Sequence, residues 1–257
     1  MARTEKSAGK HFDPTGPSSH ARGHAEIVAV LGSEILSGIR KPGSRLPSPE
    51  EMFMTFGVSR MVLREVTRTL AAKGMVVSKS RVGTLVAPPT HWNWLDPDVL
   101  EWRSKVGLDQ NFLNHISETR LAVEPVCAAL AARRRTPEDL AAMRAALRMM
   151  RHAKGNHHMF SQGDLRFHVA VSTASGNPLL RSFLSATEIA LAGFLRMMSV
   201  GAIADEKTHA RSAERHARIL DAIEAHNEDQ ARDAMIHAIN EGFKHARGIV
   251  SKESDTP

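Results

Sequence analysis

Residues 44–86 read SRLPSPEEMFMTFGVSRMVLREVTRTLAAKGMVVSKSRVGTLV. The stretch divides into a short helix, a turn, a second helix bearing arginines, and a basic hairpin. Gly57 interrupts the first apolar run, and Ser59 stands where a hydroxyl caps the next helix by accepting from an orphan backbone N–H. Val62, Val66 and Leu70 recur at helical spacing, while Arg60, Arg64 and Arg68 form an i, i+4, i+8 stripe on the same helix. Two helices joined by a Gly-containing turn are the pattern of a helix-turn-helix, whose second helix enters the major groove of DNA. Met75–Lys79 and Gly83–Val86, connected through Ser80-Arg81-Val82, predict a two-stranded wing with cations at its tip.

An arginine stripe is ordinarily a solvated helix face, and the distribution of charge decides against that here. Residues 1–90 carry 13 Lys and Arg against 7 Asp and Glu, whereas residues 91–257 carry 21 of each. The whole net charge of +6 therefore lies with the helix-turn-helix pattern. A localised cationic surface is what phosphate binding and counterion release require, so double-stranded DNA is the expected partner.

The same stretch resembles the GntR family of bacterial transcription regulators, in the branch with an all-helical FCD effector domain. The residues that carry the resemblance are Gly38 and Pro42-Gly43, Leu46-Pro47-Ser48, Gly57-Val58-Ser59-Arg60, Leu63-Arg64-Glu65, Leu70, Gly74 and Gly83-Thr84. It implies a mainly α protein, a winged helix-turn-helix followed by a helical bundle, acting as a homodimer on a palindromic operator and releasing it when a ligand binds. It implies Arg60 and Arg64 against operator bases or phosphates, and the wing around Arg81 and Gly83 near the minor groove. Arg45, Ser59, Arg68 and Lys79 complete the expected DNA-binding set. One position departs from the pattern: the family often has an arginine where Glu50 stands.

A chain of 257 residues is long enough for two domains with a core each. The expected organisation is a disordered arm over 1–22, the winged domain over 23–89, a Trp-rich linker over 90–110, the effector-binding and dimerisation domain over 111–250, and a tail over 251–257. Ile27, Val28, Val30, Leu31, Ile35 and Leu36 make the apolar face of a first helix. The arm has no signal-peptide core and adds Arg3, Lys6 and Lys10 to the cationic half. A single cysteine, Cys127, excludes an intramolecular disulfide and a Cys-rich zinc site and fits a reducing cytoplasm. No apolar run approaches the roughly 18 residues that span a bilayer, so no membrane partner is expected. All three tryptophans, Trp92, Trp94 and Trp102, fall in the linker. Leaving them exposed would forfeit a large burial gain, so they are expected to dock it onto a domain or the partner subunit. The linker also resembles those of sugar-acid regulators in the family, which implies a sugar acid as effector.

From Asn111 the sequence reads as helix throughout, over about 111–135, 137–153, 157–175, 178–200, 206–226 and 228–250. The first of these places Phe112, Ile116, Leu121, Val126, Leu130 and Ala131 on its apolar face, with a kink expected at Pro125. Thr136-Pro137-Glu138-Asp139 is a helix start: a capping threonine, proline at the first position, and acids at the positive end of the dipole. An alanine-rich, β-poor composition makes this a bundle of about six helices.

Within the bundle Asp164 and His168 stand at i, i+4, His216 lies on a later helix and His237 on the last. A carboxylate and three imidazoles on three helices suit a first-row divalent cation. With 14 histidines in the chain, spacing alone is weak. The apolar neighbours of His168 and His237 add that both face the interior. The resemblance implies more, because metal-binding FCD proteins carry an Asp-x-x-x-His pair and two further histidines on the last two helices. Asp164, His168, His216 and His237 are the matching ligands, zinc is the first expectation for the metal, and nickel and manganese are alternatives. The resemblance also places Arg120 on the first effector-domain helix facing the pocket, where its planar fork suits a carboxylate effector; a salt bridge to Glu124 is the competing reading. Asn177, in a Gly-Asn-Pro turn, is a second effector-binding candidate. Two rival readings stay open: a metal-dependent hydrolase or lyase fused to a DNA-binding module, with Glu214 as its local base, and a regulator whose metal is purely structural.

Overall fold

The computed structural model describes residues 23–107, 109–184 and 206–254. The arm, most of the helix expected over 178–200 and the end of the tail lie outside them. Helix α1 (His24–Leu36) packs Ile27, Leu31 and Ile35 against Leu63, Val66 and Leu70 of α3 (Arg60–Ala72). Leu63 takes the buried place expected of Val62, which is only partly covered. Between them α2 (Pro49–Phe56) opens with a reciprocal capping box, in which Glu51 N–H donates to Ser48 Oγ and Ser48 N–H to the Glu51 carboxylate. Gly57, at φ 68°, ends it in the left-handed conformation a side chain disfavours. Ser59 Oγ then accepts from Val62 N–H at 3.4 Å to start α3.

Strands β1 (Val76–Lys79) and β2 (Gly83–Val86) form the antiparallel wing, Val76 opposite Val86 and Lys79 opposite Gly83. The chain before α2 runs along β2, where Leu46 N–H donates to Thr84 O at 2.8 Å and Val86 N–H to Ser44 O at 2.9 Å.

The Trp-rich segment is not an extended linker. It folds into a 3-10 turn at Pro89–His91 and a helix α4 (Pro97–Val106) whose cap, Asp96, accepts from the N–H groups of Asp98 and Val99. Trp92, Val99 and Trp102 are buried in the same cluster as α1 and α3. The indole N–H of Trp92 donates to Ala87 O at 2.9 Å, and that of Trp94 to Pro89 O at 3.0 Å. Lys73, at the end of α3, reaches Asp96 at 2.8 Å and Asp98 at 2.7 Å and lies over the Trp102 ring. Burial alone would lower its pKa, but the two carboxylates win and hold it above the usual lysine value. The end of α3 is thus tied to the start of α4.

Beyond α4 come α5 (Gln110–Arg134), α6 (Pro137–His152), α7 (His157–Ala174), α8 (Glu206–Glu224) and α9 (Glu228–Ser254), with residues 178–184 also helical. Helix α5 packs on α9, and α6 packs on α7 and α8. Their shared core holds Ala128, Ala131 and Ala132 of α5 with Met143, Met150, Phe167, Ile219, Ile223 and Met235. Helix α5 continues from Gln110 to Arg134 with Pro125 inside it, and Val126 is exposed while Cys127 is buried. Phe112, Leu100 and Ile116 join α4 to α5, with Arg103 paired to Asp109 at 2.7 Å. Among the described residues no helix is long and apolar enough to cross a membrane.

Candidate metal centre and DNA-reading face

Helices α7 and α8 lie so that Asp164, His168 and His216 bring one ligand atom each within 4.8 Å of one another. Gly163 lets α7 lie close against α6, because a side chain there would collide with Met150. His168 Nδ1 stands 2.5 Å from the Glu124 carboxylate, and His216 Nδ1 is 2.8 Å from the Ser212 carbonyl oxygen. Both Nδ1 atoms therefore donate outward and both Nε2 atoms turn inward, each bearing a lone pair when its ring is neutral. The two Nε2 atoms face each other at 3.2 Å, with an Asp164 oxygen 3.1 Å from His216 Nε2. Inward lone pairs beside a carboxylate favour a cation among them, and the Arg120 guanidinium, 3.1 Å from His168 Nε2, supplies a positive charge at only one side of the cluster. Tetrahedral zinc with metal–nitrogen bonds of about 2.0–2.1 Å would place two donors about 3.3 Å apart, so this donor set fits a divalent ion. Carboxylate-to-imidazole and carbonyl-to-imidazole bonds of this kind fix ring orientation in metal sites.

Glu124 is the residue the sequence reading missed in this role. It is fully buried on α5, where burial opposes its ionisation. The charges of Arg120 and His168, and hydrogen bonds from both, outweigh that and hold its pKa down to about 2. Asp164 is held well below the ordinary carboxylate range: burial again opposes, while His216, His168 and Arg120 prevail. Arg120 does bind Glu124, at 2.5 Å, and also stands 3.1 Å from His168 Nε2, so the ion pair and a place at the cluster coexist. Burial, with the Glu124 charge adding to it, pushes the Cys127 thiol up to about 11, against an opposing hydrogen bond with Ser175.

Two expected residues are placed elsewhere. His237 is exposed and outside the cluster, because on α9 the buried face is made by Ala231, Met235, Ala238 and Ile239, and position 237 points away from it. The Asn177 side-chain oxygen accepts from Leu179 and Leu180 N–H, capping the helical segment that follows. In a second imidazole pair, His157 and His209 lie 3.3 Å apart and His209 is stacked on Phe160.

On the other unit, Arg60, Arg64 and Arg68 are exposed along one face of α3, opposite Leu63, Val66 and Leu70. Glu50, at the departing position, lies 3.6 Å from Arg60. Ser59 is consumed as a cap. Lys79 and Arg81 are exposed at the wing tip, Arg81 with φ 61°, and the Arg45 side chain lies across Gly83. A groove bordered by Arg64, Arg68, Ser78 and Thr84 separates α3 from the wing.

Residues 24–86 match the bacterial regulatory proteins of the gntR family, and residues 115–241 match the FCD domain. The galactonate operon transcriptional repressor of Escherichia coli K12 is 34% identical over 224 residues, covering 87% of this chain and 96% of that protein. The chain belongs to the gntR family of bacterial regulatory proteins. The HTH-type transcriptional regulator LutR of Bacillus subtilis is 30% identical over 79% of this chain and 91% of its own length. Among solved structures, the Lar regulator of Listeria monocytogenes superposes with a TM-score of 0.61 at 17% identity, over 93% of this chain and 99% of that one. That likeness shows the fold alone. This GntR/FCD protein is accordingly a DNA-binding transcription regulator rather than an enzyme, which removes the hydrolase or lyase reading.

Proposed function

We propose that this regulator is a homodimeric, cytoplasmic repressor of a palindromic operator, released by a small carboxylate, a sugar acid, bound beside a divalent ion. The convergence of Asp164, His168 and His216, with both inward imidazole nitrogens already oriented, carries the reading. Three protein donors leave positions open on zinc, nickel or manganese, which favours a ligand-binding ion over a purely structural one. When bound, the ion supplies a Lewis-acidic anchor for ligand oxygens. Arg120, within reach of the same cluster, supplies a planar fork for the carboxylate. The kinship with a repressor of a galactonate operon points to aldonic acids among sugar acids.

Ligand binding acts on DNA only through a difference in affinity between two arrangements of the winged domains. Helix α4, docked on α1 and tied to α3 through Lys73, is the element that passes a shift of α5 to the reading head. Arg60, Arg64 and Arg68 meet the major groove, and Arg45, Lys79, Arg81 and Gly83 meet the backbone and minor groove. A thermal-shift screen of zinc-loaded protein against aldonic, uronic and 2-keto-3-deoxy sugar acids tests the effector class, since a specific binder stabilises by mass action. A stabilising acid that also releases the operator supports the reading. No response to any of these acids contradicts it.

A further inference from the structure

The exposed face of α3 carries one side chain that neither solvation nor phosphate binding explains. Met61 is 76% exposed, the second residue of the helix, among the exposed Arg60, Arg64, Glu65 and Arg68. At about 100° per residue it stands within roughly 20° of Arg68 in azimuth and one turn before Arg64 and Glu65. Its side chain therefore stands at the centre of the exposed face, in the first turn, between the arginine stripe and Glu65, not at the margin where it could fold back on Leu63 or Val66. A methionine helps a helix no more than lysine or glutamine would, and here it leaves apolar surface in water. A phosphate offers a thioether nothing. The apolar feature of the major groove is the thymine 5-methyl group, and the N-terminal residues of a reading helix are those that reach base edges. An unbranched, polarizable side chain adapts well to such a contact.

We infer that Met61 reads a thymine methyl in each operator half-site, setting an A·T preference beside the positions met by Arg64 and Arg68. The inference rests on the reading above that α3 is the helix in the groove. Met54, 82% exposed on α2, is an internal control, because the first helix of a helix-turn-helix crosses the backbone rather than the base edges.

The test uses the full-length protein and an operator selected by it from random duplexes. Each thymine of the selected site is replaced in turn by uracil, which removes the methyl group alone. Anisotropy at fixed salt is then measured for wild type, Met61→Ala, Met54→Ala and Arg64→Ala, with circular dichroism confirming the fold of each. At one thymine per half-site, uracil should weaken wild-type binding by about four-fold, the value of one buried methyl. Met61→Ala should bind the thymine and uracil operators equally, and Met54→Ala should keep the wild-type profile. The same uracil profile for wild type and Met61→Ala at every thymine overturns the assignment of Met61 while leaving the reading helix in place. Wild-type affinity in Arg64→Ala overturns the helix assignment itself, and Met61 with it.

Discussion

Substituting Gly32 by alanine should destabilise the protein, although alanine is the better helix former by about 1 kcal/mol. Gly32 lies in α1, directly under the indole of Trp102 from α4. A Cβ there would stand 2.3 Å from Trp102 Cε3 and 2.4 Å from Cζ3. Carbon atoms rest at about 3.5–4.0 Å, so the ring must retreat by more than about 1 Å. Trp102 is only 5% exposed and shares its cluster with Trp92 and Val99, so it has no free direction in which to move. Overpacking of this kind costs about 1–3 kcal/mol, and the tightness of the contact puts it near the upper end. The expected net loss is about 2 kcal/mol. In a Trp102→Ala background the obstacle is gone, and the same Gly32→Ala change should stabilise by about 1 kcal/mol. Trp102→Ala alone should cost about 3–5 kcal/mol. Urea unfolding of the four proteins, followed by far-UV circular dichroism and by the fluorescence of Trp92 and Trp94, measures the cycle. A stabilising Gly32→Ala in the wild-type background, or the same sign in both, would refute the docking of α4 on α1 and with it the route from effector bundle to reading head.

Further outcomes follow from the two sites. Arg64→Ala should weaken operator binding by about 1–3 kcal/mol with little change in stability, read by anisotropy at fixed salt; unchanged affinity removes Arg64 from the groove. Arg120→Lys keeps a cation beside buried Glu124 but loses the planar fork, so the sugar-acid concentration that releases operator should rise by about two orders of magnitude while operator affinity stays the same. Release at the wild-type concentration would assign Arg120 to its bond with Glu124 alone. The depressed pKa of Glu124, from 4.5 to about 2, means its charge stabilises the fold fully above the unfolded value and that this is lost as pH falls from there towards 2. Glu124→Gln should therefore flatten the fall in melting temperature between about pH 5 and pH 2; parallel curves for the two proteins would contradict the coupling of Glu124 to Arg120 and His168.

The reading head was legible because its signals are local. Ser48, Gly57 and Ser59 each act on a backbone within four residues, and the arginine stripe needs only the helical repeat. The helix α4 was missed although Asp96-Pro97 is the same kind of start as Thr136-Pro137, because three nearby tryptophans drew the segment towards a docked linker. Their docking is a tertiary fact: it depends on Gly32 leaving room under Trp102, seventy residues away in sequence. In the bundle, Asp164 and His168 are joined by helical spacing, but their meeting with His216 depends on how α7 and α8 pack. Apolar neighbours misplaced His237, since Met235 and Ile239 bury one face of α9 and position 237 falls on another. Glu124 could be read only as a partner four residues from Arg120. Its bond to His168 crosses from α5 to α7, which no local pattern encodes.

The metal is the centre of the account, and elemental analysis addresses it most directly. Protein loaded with zinc and dialysed exhaustively against metal-free buffer should retain close to one divalent ion per subunit, as three converging donors and oriented imidazoles require. A His168→Ala/His216→Ala double variant, confirmed as folded, should retain almost none. Full metal content in the double variant would place the site elsewhere, and a metal-free wild type after the same treatment would contradict the metal-dependent regulator.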